Sequence, residues 1–201
     1  MALRLHVGCG TVYLDGYVNL DVEVPGYSVL ATERPDLAAL NRTTVDRYYL
    51  REESQATLER GPGRVQHCVA DRYAAMDALP YGPGTVDEIR SVQVLEHIPH
   101  PRVPVVLRHW HERLRAGGVC HVDVPDFEET ARQLLAQPDE PSKDWYYRLI
   151  YGSQKNAYAF HQSGFSPARL ERLLREAGFH EVRRVPNTLH FYPACIAEGI
   201  R

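Results

Sequence analysis

The stretch LHVGCGTVYLDGYVNLDV, residues 5–22, sets two glycines behind an apolar run and an aspartate at the close of the next. Gly8 and Gly10 allow a tight turn and let a ligand approach the backbone with no Cβ in the way. Asp21 is then placed to accept hydrogen bonds from ribose hydroxyls. A dinucleotide would ask for a third glycine, a helix N-terminus under its pyrophosphate and an acid about twenty residues further on. Here Tyr13 stands where that third glycine belongs, and ten residues separate Gly10 from Asp21. A ligand with adenine and ribose but no phosphate fits this spacing better, and S-adenosylmethionine is one. A nicotinamide-dependent oxidoreductase is the disfavoured alternative.

Moving a sulfonium methyl group is an in-line displacement, driven by holding the nucleophile about 3–3.5 Å from the methyl carbon. A base is needed only when the acceptor, such as a sugar or phenolic hydroxyl, must lose a proton. His97, in Leu95-Glu96-His97-Ile98, titrates in the right range for that task; otherwise it caps the following helix. Asp126, in Val124-Pro125-Asp126-Phe127, could orient a histidine or touch acceptor hydroxyls, or equally be the N-cap of a helix over 127–136. Glu96 reads as a structural hydrogen-bonding group. Asp123 and Asp126 are the acids available for a cation, but nothing completes a ligand set, so no metal is expected.

These residues need a scaffold. Short apolar runs alternate with helical stretches, the pattern of a doubly wound α/β sheet. Strands are expected at 3–7, 17–20, 65–69, 86–92, 118–124, 181–185 and 189–197. A helix over 101–116 carries Val103, Leu107, Trp110 and Leu114 on one face and stops at Gly117-Gly118. Another over 166–177 opens with Ser166 as N-cap and Pro167 at its first position, buries Leu170, Leu173 and Leu174, and ends at Gly178. Segments 22–63 and 127–165 are longer than a crossover needs. The first is expected to turn helical over 43–60; both are candidate lids or acceptor-binding inserts in a single domain spanning 1–201.

Five pieces in order, HVGCG (6–10), GYVNLD (16–21), ALPYGPGTVDEIRSVQVLEHI (78–98), LRAGGVCHVDVPDF (114–127) and HQSGFSPARLERLLREAGF (161–179), resemble class I S-adenosylmethionine-dependent methyltransferases. The likeness is to small bacterial members associated with glycan or natural-product biosynthesis. It implies a Rossmann-like, mostly parallel seven-stranded sheet of order 3-2-1-4-5-7-6 with its last strand antiparallel. It also implies that Gly8, Cys9 and Gly10 pass under the methionine part of S-adenosylmethionine and that Asp21 holds the ribose. Asp71 would face the adenine amino group, with Asp77 as its rival, and Met76 would pack on the adenine or belong to the core. Gln93, Val94 and Leu95 would line the methyl-bearing end, and His161 would join the site. Two departures are expected: the first helix after Gly10 is reduced to a turn or loop, and no helical extension is read before the first strand, so the inserts cover the acceptor or its site stays open. A non-catalytic S-adenosylmethionine-binding module remains the second alternative.

A formal net charge of −3 argues against sequence-independent nucleic-acid binding. The run Arg108–Arg115 reads as a solvated helix face. Cys9, Cys68, Cys120 and Cys195 form no Cys-x-x-Cys pair and suit free thiols in a reducing compartment. No signal peptide and no membrane-length apolar run is read, so a cytoplasmic protein acting on a small-molecule or glycan acceptor is expected. Oxygen is favoured over nitrogen because of the histidine bases. Pro193 within the last strand marks an edge or a bulge, and an edge strand could pair with a second copy.

Overall fold

The computed structural model describes residues 2–48, 67–188 and 190–201. Its strands are β1 (Arg4–Val7), β2 (Tyr13–Leu14), β3 (Val18–Asp21), β4 (Ser28–Leu30), β5 (Arg42–Thr43), β6 (Cys68–Ala70), β7 (Arg72–Tyr73), β8 (Val86–Val92), β9 (Leu114–Pro125), β10 (His180–Val185) and β11 (Ala194–Ile200). Its helices are α1 (Pro35–Asn41), α2 (Val103–Arg113), α3 (Phe127–Leu135), α4 (Glu140–Tyr151) and α5 (Pro167–Glu176). The main sheet runs β10-β11-β9-β8-β1-β3-β7, with β11 antiparallel to both neighbours and the other pairings parallel. Renumbered by sheet strand, this is the expected order 3-2-1-4-5-7-6.

The central strands are buried on both faces, as parallel strands between helical layers must be. Leu5, Val7, Ile89, Cys120 and Val122 form the middle of the core. On α2, Val103, Val106, Leu107 and Trp110 are buried against it, and on α5 Leu170, Leu173 and Leu174. Ser166 caps α5 as expected, its hydroxyl accepting from the Arg169 amide. The helix expected over 101–116 is shorter than its apolar stripe. Leu114 turns extended and pairs with Val86, so the stripe's last member is buried as the first residue of β9.

Two other expectations are corrected. The third sheet strand is the two-residue β7, whose Arg72 and Tyr73 pair with Leu20 and Asp21. Residues 68–70 instead form β6, paired with β4 of the first insert in a separate small sheet; positions 65 and 66 lie outside the described residues. The last strand is not an edge. It begins after Pro193, at Ala194, and lies between β9 and β10, so the missing proline N–H falls outside the ladder and β10 is the edge. Of the helix expected over 43–60, the described part is a single 3-10 turn, Val45–Arg47, and the rest lies outside the described residues. All four cysteines are free and buried.

Candidate active site

The chain leaves β1 through Gly8, Cys9 and Gly10 and enters β2 and β3 with no helix between, so the glycine loop presents no helix N-terminus to a phosphate. The loop is stapled to β3 instead. The Gly8 and Cys9 amides both donate to Leu20 O, at 2.8 and 3.0 Å, and the Gly10 amide donates to Asp21 Oδ2 at 2.7 Å. Asp21 Oδ1 accepts from the Val22 amide, so two lone-pair sites of the carboxylate are used and others are left for a ligand.

Gly8 has φ +73°, and a Cβ there would lie 2.3 Å from Val94 Cγ2. Gly10 has φ +52° and a Cβ there would meet nothing within 4 Å, because it faces open space. One glycine is demanded by packing, the other leaves room.

That room is a cavity of about 320 Å³ at the carboxyl ends of β1, β3 and β8, where ligands of open α/β sheets bind. Gly8, Cys9, Gly10 and Asp21 line one side; Ala74 and Met76 supply apolar wall; Gln93, Val94 and His97 line the side after β8. The two inserts complete the lining with Val24, Tyr27 and Ser28 from one and Ser153, Lys155, Asn156 and Tyr158 from the other. No sequence motif marked these insert residues, which sit in loops apart from Ser28, the first residue of β4.

Asp71 is elsewhere. Its carboxylate accepts from the Tyr13 hydroxyl at 2.6 Å, the Asn19 amide at 2.8 Å and the Asn19 side chain at 3.1 Å, tying β3 to the β6–β7 junction. Asp77 pairs with Arg102. Neither belongs to the cavity lining. Asp126 is the N-cap of α3, accepting from the Glu129 amide at 3.1 Å, and also lies outside the lining.

Gln93 is held at φ +57°. Its amide donates to Asp123 O and its side chain to Asp123 Oδ1, both at 2.8 Å, while Asp123 Oδ2 lies 2.6 Å from His190 Nε2. This buried link fixes the turn after β8, and so places His97, in the following 3-10 turn Leu95–His97. His97 Nδ1 lies 3.1 Å from Phe160 O, and its ring meets that of His161 edge-on, centroids 4.8 Å apart. His161 Nδ1 in turn lies 2.9 Å from Leu149 O. Burial lowers the pKa of His97, and burial together with His97 brings His161 down to about 4. Both rings are neutral at neutral pH. His161 stands behind His97 rather than in the cavity lining.

Glu96 departs from expectation. It is buried, and neither carboxyl oxygen has a hydrogen-bond partner. Burial pushes its pKa well up.

The cavity suits a nucleoside: glycines where a ligand must pass close, an apolar wall for a ring, a carboxylate for a diol and no helix end for a pyrophosphate. The fold is that of class I methyltransferases. Residues 7–183 match a family described as a methyltransferase domain, and the chain belongs to that family, whose cofactor is S-adenosylmethionine. Solved structures share the fold at low identity. A protein assigned as an O-methyltransferase from Nostoc punctiforme has TM-score 0.53 and 12% identity, covering 100% of this chain and 52% of its own. An S-adenosylmethionine-dependent methyltransferase from Thermotoga maritima has TM-score 0.52 and 15% identity, covering 100% and 82%. Another from Mesorhizobium loti has TM-score 0.54 and 14% identity, covering 99% and 90%. The chain thus spans about half of the first structure. No protein of curated function matches the sequence, and no helix among the described residues is long and apolar enough to cross a membrane.

Proposed function

We propose that this protein transfers a methyl group from S-adenosylmethionine to a hydroxyl of a small-molecule or glycan acceptor, as one domain spanning residues 1–201. The observation that carries this reading is the composition of the cavity wall: Gly8, Gly10, Asp21 and Met76 at one end, His97 and the polar side chains of both inserts at the other. Gly8, Cys9 and Gly10 would pass beneath the cofactor, Asp21 would accept from its ribose hydroxyls, Met76 would cover its ring, and Gln93 and Val94 would border its reactive end. The cofactor supplies an electrophilic methyl carbon; the chain's part is to align the acceptor and exclude water.

His97 is the base candidate. Its Nδ1 points at Phe160 O, which fixes the proton there and leaves Nε2 able to accept one. His161 positions that ring. Asp126 holds the start of α3 as its N-cap and is assigned no proton transfer. The inserts act as the acceptor-binding lid, with Tyr27, Ser153, Lys155, Asn156 and Tyr158 offering hydrogen bonds and stacking surface to a sugar or phenol.

The test is S-adenosylhomocysteine release with panels of sugar and phenol acceptors. Asp21→Ala should raise the cofactor KM at least tenfold, and His97→Ala should lower kcat by about 10²-fold or more while leaving cofactor binding intact. A protein that binds S-adenosylmethionine and yet methylates no acceptor class would favour the binding-module alternative.

A further inference from the structure

Beside the cavity, Glu96, His97 and His161 each bring one potential ligand atom to within 4.8 Å of the others. What sets this group apart from an ordinary polar cluster is what its members do not do. Glu96 is 1% exposed, and its two carboxyl oxygens have no hydrogen-bond partner. A carboxyl group stripped of water and left unpaired costs free energy unless something compensates it.

The two histidines are arranged in the complementary way. Each ring has its Nδ1 at a backbone carbonyl, His97 at Phe160 O (3.1 Å) and His161 at Leu149 O (2.9 Å). A carbonyl can only accept, so both Nδ1 atoms carry the proton, and in a neutral ring of that tautomer Nε2 is the nitrogen with the lone pair. Metal-binding histidines are oriented in this manner, with the second ring nitrogen donating to a carbonyl and thereby fixing the tautomer. One carboxyl oxygen of Glu96 and one ring nitrogen of each histidine thus converge within 4.8 Å, and neither Glu96 oxygen has a hydrogen-bond partner. His97 Nε2 and Glu96 Oε1 are 3.8 Å apart, close to the roughly 3.3 Å that separates two ligands each about 2.0–2.1 Å from a tetrahedral ion.

We propose that Glu96, His97 and His161 bind a single divalent transition-metal ion of the zinc class. Two imidazoles with one carboxylate favour zinc, cobalt, iron or nickel over magnesium or calcium, which prefer all-oxygen sets. Three protein ligands leave a fourth position open. His97 is the member that lines the cavity, while Glu96 and His161 lie behind it. An ion held there has the chemistry of a Lewis acid toward an acceptor oxygen, lowering the pKa of a hydroxyl as it does that of bound water. That role, though not the site itself, rests on the methyl-transfer reading above, and it would replace His97 as the group that makes the acceptor nucleophilic.

The test uses the full chain without an affinity tag, stripped with chelator and titrated with cobalt(II), whose visible absorption reports nitrogen and oxygen ligation directly. One equivalent should bind and be displaced by zinc. Removing an outer-shell partner of a metal ligand costs about 10–100-fold in affinity. Losing a direct ligand in His161→Ala or Glu96→Gln should cost at least as much, whereas His180→Ala, on the exposed edge strand, should bind as the wild type does. Circular dichroism accompanies each variant, and should Glu96→Gln fail to fold, His161→Ala decides. The proposal is overturned if wild-type protein binds no cobalt, or if binding is the same in His161→Ala. S-adenosylmethionine binding is measured calorimetrically on the same stripped protein. Cofactor binding without cobalt binding removes the ion site alone; variant-sensitive cobalt binding without cofactor binding removes the methyl-transfer reading and leaves the site.

Discussion

Lys155 Nζ lies 3.0 Å from the Tyr27 hydroxyl and 4.7 Å from the centre of its ring. One residue comes from the insert after β9 and the other from the insert after β3, so the two excursions meet at the cavity both of them line. A hydrogen bond of this kind contributes about 1 kcal/mol and the cation–π contact about 0.5–1 kcal/mol. Lys155→Ala should therefore raise the acceptor KM by about tenfold with kcat changed far less. Steady-state kinetics with varied acceptor read this directly; an unchanged KM would separate the inserts from acceptor binding.

The two loop glycines should respond differently to the same change. Gly8→Ala drives a Cβ into Val94 and strains φ, so both melting temperature and cofactor affinity should fall. Gly10→Ala meets no atom within 4 Å and bears only the left-handed backbone cost, about 1–2 kcal/mol. Its methyl group projects into the space the cofactor needs, so affinity should fall with only a modest loss of melting temperature. Equal behaviour of the two variants would contradict the assignment of Gly10 to the ligand side of the loop.

Acid should weaken the fold through His6. This residue is fully buried, its Nδ1 2.9 Å from Asn19 Oδ1 and its Nε2 2.6 Å from the Tyr48 hydroxyl. Burial, with Arg90 adding, lowers its pKa to about 4. Between about 6.5 and 4 the unfolded chain binds the proton that the folded one refuses, so stability rises with pH and is lost as pH falls through that window. The shift corresponds to about 3 kcal/mol. His161 contributes with the same sign, so the measurement is the difference in pH slope between wild type and His6→Gln under denaturant unfolding. A wild-type slope no steeper than the variant's would rule His6 out as the source.

The core makes a simpler demand. Leu170 is fully buried on α5, and Leu170→Ala should cost about 2–5 kcal/mol. Val105 on α2 is 43% exposed, and Val105→Ala should stay within about 0.5 kcal/mol. Urea midpoints distinguish them.

Much of this architecture was legible because it follows from local periodicity. The run 86–92 reads as a buried strand and is one, and Ser166-Pro167 announces the start of α5 because cap chemistry is local. What was not legible depends on distant pairing. The expected third strand pairs with the first insert rather than the sheet, since β4 offers it a partner that no spacing reveals. Asp71 was placed at the adenine by the resemblance; its carboxylate accepts from Tyr13 and Asn19, from another part of the chain, and does not line the cavity. The resemblance put His161 at the site, but its approach to Glu96 and His97 was hidden from spacing for the same reason. Only the fold of the second insert, where Gly152 turns the chain after α4 at φ +81°, carries that histidine back to the end of β8.

The proposed function stands on Gly8, Gly10 and Asp21 forming an S-adenosylmethionine site. Calorimetric titration of S-adenosylmethionine, S-adenosylhomocysteine and NADH into wild type and Asp21→Ala tests it most directly. One-to-one binding of the first two ligands is expected, at least tenfold weaker in Asp21→Ala, with no binding of NADH. Binding of NADH alone, or S-adenosylmethionine binding indifferent to Asp21→Ala, would contradict it.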